Sequence, residues 1–319
     1  MEQSILITGG NGFIGCHLAQ FLKKNNHKVV LTSRNISSVS ASLCEFPFRS
    51  LDLQQSEFDF KGLFNGIDIV IHLAGISQVD QTLQADHQLV NRDGTLKLAR
   101  HAQREGVKRF IFISTVKVYG ESSSVNGKVA FTEKSPFNPL NYYSQSKLEA
   151  EKLLKSTCAR GDMDYVIFRV PLVYGPGVKA NFYNLIKLIS YNYPLPFLRV
   201  TNIRSFLYVE NLCDLIDKTI KTANYRNIEC LVKDHDMSTR DLIIKISMGF
   251  KIRPRLYHVS PGLIRTCARL LNKATKVDSL YASFLIDDTK IRKDISWKPV
   301  ISSEIGIERT VEWFKNSYL

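Results

Sequence analysis

The chain is predicted to be an α/β protein, a doubly wound parallel sheet with a smaller mixed C-terminal lobe on the substrate side. Three observations predict this. Apolar runs at 4–8, 28–32, 67–73, 108–114 and 164–170 are short and nearly continuous, as strands buried on both faces are. Longer stretches at 80–105 and 142–160 read as helices between them. A glycine-rich turn, Gly9-Gly10-Asn11-Gly12-Phe13-Ile14-Gly15, joins the first strand to the first helix. Alternation of this kind implies a parallel sheet whose ligand crevice lies at the carboxyl ends of its strands.

Each element can be justified in turn. Ser4-Ile5-Leu6-Ile7-Thr8 is a buried strand, and Phe13, Ile14, His17, Leu18, Phe21 and Leu22 recur after it with helical spacing. The turn between them therefore has the context of a dinucleotide-binding fingerprint, with glycines at 9, 12 and 15. Gly9 permits the tight turn, Gly12 lets backbone approach a pyrophosphate, and Gly15 allows helix to pack on strand. The first helical amides, at Phe13 and Ile14, are left to donate to phosphate. The second strand, His27 to Arg34, ends without the carboxylate that would accept from the ribose hydroxyls of NAD. After Pro171 the texture changes to proline- and aromatic-rich loops, as in Tyr191-Asn192-Tyr193-Pro194-Leu195-Pro196-Phe197. The expected division is a dinucleotide-binding Rossmann domain over 1–170 and a smaller substrate lobe over 171–319, part of which returns to the main sheet.

Bulk properties narrow the function. At 319 residues and 44% hydrophobic the chain can bury a substantial core, and no apolar run reaches membrane-spanning length. Met1-Glu2-Gln3 followed by a strand is not a signal peptide, so a cytoplasmic protein without stable membrane insertion is expected. The six cysteines show no metal spacing and read as reduced thiols, with no metal site. Forty-three basic residues against 30 acidic leave +13, which suits an anionic substrate, a membrane surface or nucleic acid. They form no run of five and accompany no nucleic-acid motif, so no nucleic-acid partner is expected. Leu263 to Lys276 is amphipathic and basic; it reads as a helix packed on the smaller lobe, with an anionic membrane surface as the alternative.

The chemistry is signalled by Tyr143 and Lys147. Four residues apart on a helix, they share a face, and a nearby ammonium favours the phenolate of a phenol whose free pKa is about 10. Such a phenol can exchange a proton with an alcohol or ketone during hydride transfer. Tyr142 is five residues from Lys147 and points elsewhere.

Several stretches then combine in one order: Thr8 to Gly15, Asp52-Leu53, His72-Leu73-Ala74-Gly75, Asn91 with Gly94-Thr95, Ser114 to Gly120, Pro136 to Lys147, and Arg169-Val170-Pro171 with Tyr174-Gly175-Pro176-Gly177. In order and spacing they resemble the extended short-chain dehydrogenase/reductases, the NAD-dependent epimerase/dehydratase family of nucleotide-sugar 4-epimerases, dehydratases and 4-keto reductases. The resemblance implies Thr115, Tyr143 and Lys147 as catalytic residues, with Thr115 holding the substrate oxygen and Lys147 also binding the nicotinamide ribose. It places the family's acidic ribose-binding position on Ser33, followed by Arg34, so NADP is favoured over NAD; Arg34 as a solvated loop residue is the alternative. Asp52 matches the residue that bonds the adenine amino group, with Leu53, Leu73, Ala74, Gly75 and Asn91 contacting or bracing the cofactor. His72 is assigned no proton chemistry. Ser114 either lines the site or makes a structural hydrogen bond.

The second half resembles the branch that handles UDP-linked hexoses and N-acetylhexosamines. By that resemblance Asn181 and Arg204 meet the diphosphate and Phe197 the uridine. The arginine that 4-epimerases often carry shortly before the last helices is missing at Lys276-Val277-Asp278-Ser279-Leu280, so Lys179 or Arg253 would share the grip. Dehydratases place an Asp-Glu pair after the catalytic threonine; here Val116-Lys117 follows, which argues against dehydration. The first expectation is a 4-keto reductase of a UDP-4-keto-6-deoxy-N-acetylhexosamine; a UDP-glucose or UDP-N-acetylglucosamine 4-epimerase with retained NAD is the alternative, and a non-catalytic dinucleotide sensor the minor one. A homodimer is expected, formed through the helices at 80–105 and 142–160, as in the family.

Overall fold

The computed structural model describes residues 2–34, 43–55, 58–77, 83–123, 130–260, 262 and 281–318. Strand β1 (Ser4–Thr8) runs through the glycine turn into α1 (Phe13–Lys24), which returns the chain to β2 (Lys28–Ser33). Short β3 (Phe48–Ser50) extends the edge beyond β2, and β4 (Ile69–His72) pairs with β1 on its other side. The next crossover is α2 (Gln84–His87), continued by a π-helical turn, Gln88–Asp93, into α3 (Gly94–Arg104). It leads to β5 (Arg109–Thr115), and α4 (Tyr142–Cys158) carries the chain on to β6 (Asp164–Val170).

Beyond Val170 a second sheet begins with β7 (Leu172–Tyr174) and β8 (Arg204–Tyr208), separated by α5 (Ala180–Ser190). Helix α6 (Val209–Lys221) then leads to β9 (Ile228–Leu231), which goes back to pair with β6, before β10 (His235–Met237) joins β8 antiparallel. Helices α7 (Thr239–Gly249), α8 (Thr289–Asp294) and α9 (Ser303–Tyr318) follow. Among the described residues the main sheet has seven parallel strands in the order β3-β2-β1-β4-β5-β6-β9, and the second has three, β10-β8-β7. The doubly wound fold read from the sequence is thus present, with a small mixed sheet beside it.

Continuous apolar strands follow from burial on both faces. Along β1, Ile5 and Ile7 face one core with Leu18 and Leu22 of α1 and Leu212 and Ile216 of α6. Leu6 faces the other, with Leu98 and Ala102 of α3 and Leu154 of α4. Each fully buried leucine or isoleucine contributes about 1.5–3 kcal/mol, and the two layers clamp the sheet between them. A third cluster fills the space around β7, β8, α5, α7 and α9.

The helix expected at 80–105 is not uniform: described from Leu83 onward, it widens into the π turn and turns Asn91 inward. Residues 80–82 and the basic amphipathic stretch Leu263–Lys276 lie outside the described residues. Among the described residues no helix is long and apolar enough to cross a membrane.

Gly9 has φ +71°, and a Cβ there would stand 2.8 Å from the Ala74 amide nitrogen. A Cβ on Gly15 would collide with the Gly9 carbonyl oxygen and the Gly10 backbone. Backbone cannot swing aside as a side chain can, so Gly15→Ala is expected to lower stability by about 1–3 kcal/mol. Urea unfolding of the variant tests this, and an unchanged midpoint would refute the packing role.

Candidate active site

The glycine turn, β2 and the loops after β3 and β4 meet at the carboxyl end of the sheet around a hollow of about 620 Å³. Gly9, Asn11 and Gly12 line one side, Thr32, Ser33 and Arg34 another, and Asp52, Leu53, Leu73, Ala74 and Gly75 the rest. The Gly12 amide donates to the Gly9 carbonyl at 2.9 Å, closing the turn. No side chain caps α1, so its first amides, from Phe13 and Ile14, remain available to an anion at the positive end of the helix. A cradle that tolerates no Cβ, with a helix N-terminus behind it, fits the pyrophosphate of a dinucleotide. At the far end Arg34 Nη1 donates to Gln54 Oε1 at 3.2 Å, and Asp52 Oδ1 accepts from the Gln54 amide at 3.0 Å. No acid stands at the tip of β2.

Two buried side chains brace this hollow. Asn91 Oδ1 accepts from the Ile76 amide at 2.8 Å, and its Nδ2 donates to the Ile76 carbonyl at 2.9 Å and Ser146 Oγ at 3.1 Å. The loop after β4 is thereby tied to α4, and Asn91 braces that loop from behind. His72 bridges Thr8 Oγ1 at 2.6 Å and Thr95 Oγ1 at 2.9 Å. Burial, reinforced by the Lys147 charge, pulls its imidazole down to about 3, so it stays neutral.

Thr115, Tyr143 and Lys147 come together where β5 ends. Thr115 caps the 3₁₀ turn Val116–Tyr119, its Oγ1 accepting from the Lys117 amide at 3.2 Å. Asn141 caps α4, accepting from the Ser144 amide at 2.9 Å, so the helix starts one residue before Tyr143. Burial pushes the Tyr143 phenol up to about 12, against the hydrogen bond with Thr115, which draws it down. Burial lowers Lys147 to about 8, partly opposed by Glu151 one turn along. The sequence expectation that Lys147 tunes Tyr143 toward phenolate is not met here. Its ammonium stands 4.2 Å from the centre of the Phe112 ring and on the Gly75 side of the hollow, and desolvation dominates both groups. Tyr142 is exposed, away from the cluster.

Ser114 turns into the protein rather than toward the cleft. Its hydroxyl donates to Glu151 Oε1 at 2.5 Å. Arg169 grips the same carboxylate, with Nη2 to Oε2 at 2.6 Å and Nε to both oxygens at 3.1 Å. Arg169 also donates to Tyr119 Oη at 2.6 Å and to Glu229 at 3.2 Å. Of Ser114's two sequence readings, the structural hydrogen bond is therefore the one seen, and the site-lining role is corrected. Arg169 stands in a stretch the sequence singled out, but its pairing with Glu151 went unrecognised because nothing local marks partners 18 residues apart on different elements.

The residues expected on the substrate side lie on separate elements. Asn181 is exposed at the start of α5, and Phe197 is buried, 5.7 Å from the Tyr281 ring. Phe197 thus underlies a hollow of about 270 Å³ lined by Arg199, Asn202, His258 and Tyr281 rather than presenting its face there. Arg204 opens β8; burial lowers its guanidinium, against the pull of the Glu121 carboxylate. Glu121 also pairs with Lys117 at 3.1 Å and accepts from Asn141 Nδ2 at 2.6 Å. This Lys117–Glu121–Asn141 chain beside Thr115 is a second feature that no motif announced.

Two outcomes are expected. His72 is neutral in the fold but titrates near 6.5 when unfolded, so its contribution is complete above that pH and drains as pH falls toward 3, by on the order of 4 kcal/mol. Urea midpoints of wild type and His72→Gln should converge on acidification, and parallel curves would refute this. Arg169→Met strands a buried carboxylate and should cost about 3–5 kcal/mol, most of it recovered in Glu151→Leu/Arg169→Met. A double variant no more stable than the single one would contradict that account.

Comparison with known proteins agrees with this geometry. The model of the "NAD dependent epimerase/dehydratase family" matches residues 5–229. A UDP-glucose 4-epimerase of Vibrio cholerae is 34% identical over 98% of this chain and 96% of its own. A dTDP-D-glucose 4,6-dehydratase of Dictyostelium discoideum is 29% identical over 99% of this chain and 82% of its own. Among solved structures, UDP-glucuronic acid 4-epimerase from Bacillus cereus in complex with NAD superposes with a TM-score of 0.79 at 24% identity, covering 99% of this chain and 100% of that one. Glycine cradle, dinucleotide-sized hollow and whole-length similarity converge: the chain belongs to the NAD-dependent epimerase/dehydratase family.

Proposed function

We propose that this protein moves hydride at C4 of a UDP-linked hexose or N-acetylhexosamine, acting as a 4-epimerase. The observation that carries this is the Thr115–Tyr143 hydroxyl contact at the end of β5, with Lys147 one turn further on and the dinucleotide hollow beside it. Bound nicotinamide dinucleotide would supply the hydride chemistry. Thr115 holds the C4 oxygen, and Tyr143 takes the hydroxyl proton on oxidation as its phenolate and returns it on reduction; because burial raises the phenol, that phenolate would draw on the positive charge of an oxidised nicotinamide bound beside it. Lys147, withdrawn from water on the Gly75 side, binds the nicotinamide ribose. Gly9, Gly12 and the first amides of α1 take the pyrophosphate, and Asp52 the adenine. Val116-Lys117 after Thr115 leaves no acid there for expelling water, which weighs against dehydration. The relatives named as UDP-sugar 4-epimerases support this reading over reduction alone.

Arg204, Asn181 and the hollow above Phe197 form the nucleotide side in this proposal, the guanidinium suiting a diphosphate. A homodimer through α3 and α4, and the division of the chain near residue 170, belong to the same proposal. One observation favours a second reading, a 4-keto reductase drawing on NADPH. Arg34 and Ser33 line the ribose end of the hollow where no acid stands, an arrangement suited to a 2′-phosphate.

Mass spectrometry of nucleotide released on denaturation separates the two. Stoichiometric NAD indicates the epimerase, whereas an empty site that prefers NADPH to NADH indicates the reductase. Tyr143→Phe should keep cofactor affinity and lower turnover of the UDP-sugar by about 10²–10⁴-fold. Full turnover in that variant would sink both readings.

A further inference from the structure

The excess positive charge is not spread over the chain. Residues 165–209 and 242–277 contain thirteen basic residues and no acid, so the rest of the chain is balanced at thirty of each sign. The whole surplus of +13 therefore belongs to two stretches. The fold lays their described parts side by side. Leu195 pairs with Leu256, its amide donating to the Arg255 carbonyl at 2.8 Å and its carbonyl accepting from the Tyr257 amide at 3.0 Å. The end of α5 is stitched to the same ribbon, the Tyr193 amide donating to the Leu188 carbonyl at 3.2 Å.

Lys187, Arg199, Lys251, Arg253 and Arg255 are all exposed there. No carboxylate among the described residues pairs with them, whereas Lys245 on the neighbouring α7 is tied to Glu304. Interleaved with these cations are exposed Leu188, Tyr191, Tyr193, Leu198, Tyr257 and Met248, with Tyr191 57% and Met248 69% open to solvent. Cations alone would suit any polyanion. Tyrosines and aliphatic side chains standing among them suit the boundary between lipid headgroups and acyl chains, where a ring can be half immersed with its hydroxyl in water.

We propose that this face, the 195–256 ribbon with the end of α5, docks the protein peripherally on an anionic lipid surface. The cations meet headgroup phosphates while the tyrosines and leucines dip below them. Arg199 belongs both to this face and to the hollow above Phe197, so docking would hold that end of the cleft against the membrane.

Co-sedimentation with vesicles of phosphatidylcholine containing about a third phosphatidylglycerol, against pure phosphatidylcholine, tests the proposal. Wild type should bind the anionic vesicles alone and release with salt. Each surface cation contributes roughly fivefold to such partition, so Lys187→Glu/Lys251→Glu/Arg255→Glu should weaken binding about a hundredfold or more. Lys24→Glu/Lys61→Glu/Arg226→Glu makes the same charge change outside the two stretches and should weaken it far less. Tyr191→Ser/Tyr193→Ser/Tyr257→Ser should lose the part of binding that survives high salt. Unchanged melting temperature and cofactor affinity certify that each variant is folded. The proposal is overturned if wild type ignores anionic vesicles, if the two triple reversals lose equally, or if duplex DNA is bound in preference to vesicles. It is equally overturned if reversal on the ribbon splits a dimer without changing lipid binding, since a second copy would then be the occupant.

Discussion

The carboxylate of Glu151, sealed between Arg169 and Ser114, is the constraint on which the arrangement of Thr115, Tyr143 and Lys147 depends. Its side chain and that of Arg169 are 2% and 1% exposed, so neither charge has water to fall back on. Charges buried this deeply persist only where every lone pair and proton finds a partner. Here the partners come from β5, the following 3₁₀ turn, β6 and β9, while Glu151 itself rides on α4. Satisfying one carboxylate therefore fixes the height and rotation of α4 against β5. Tyr143 and Lys147 are carried on α4 and Thr115 ends β5, so the same network sets their mutual geometry.

The hollow at the glycine turn is held by a second principle, close approach of backbone. Gly9 abuts Ala74 and Gly15 abuts the turn that precedes it, leaving no volume for side chains. What side chains do here is brace from behind. Asn91 ties the loop after β4 to α4 through Ile76 and Ser146, and neutral His72 ties β1 and β4 to α3 through Thr8 and Thr95. The loop beside the hollow and the Thr115–Tyr143 hydroxyls are thus both tied to α4. The charge distribution follows a different logic, its surplus falling in two stretches, 165–209 and 242–277, that contain no acid of their own.

Much of this was determined by the sequence alone. Strands buried on both faces must be apolar throughout, so β1, β2, β4, β5 and β6 could be read as runs, and a turn that admits no Cβ must be glycine. Four-residue spacing put Tyr143 and Lys147 on one face for the same geometric reason. Short β3 and β9 carried too little pattern to read, since three or four residues do not establish a period. Where a side chain points was decided only by tertiary packing. Ser114 went to Glu151 and Lys147 to the Phe112 ring, because burial made an unpaired charge or hydroxyl costlier than any local preference. Glu121 found Asn141 and Glu229 found Arg169 across gaps of 20 and 60 residues, pairings no local pattern encodes.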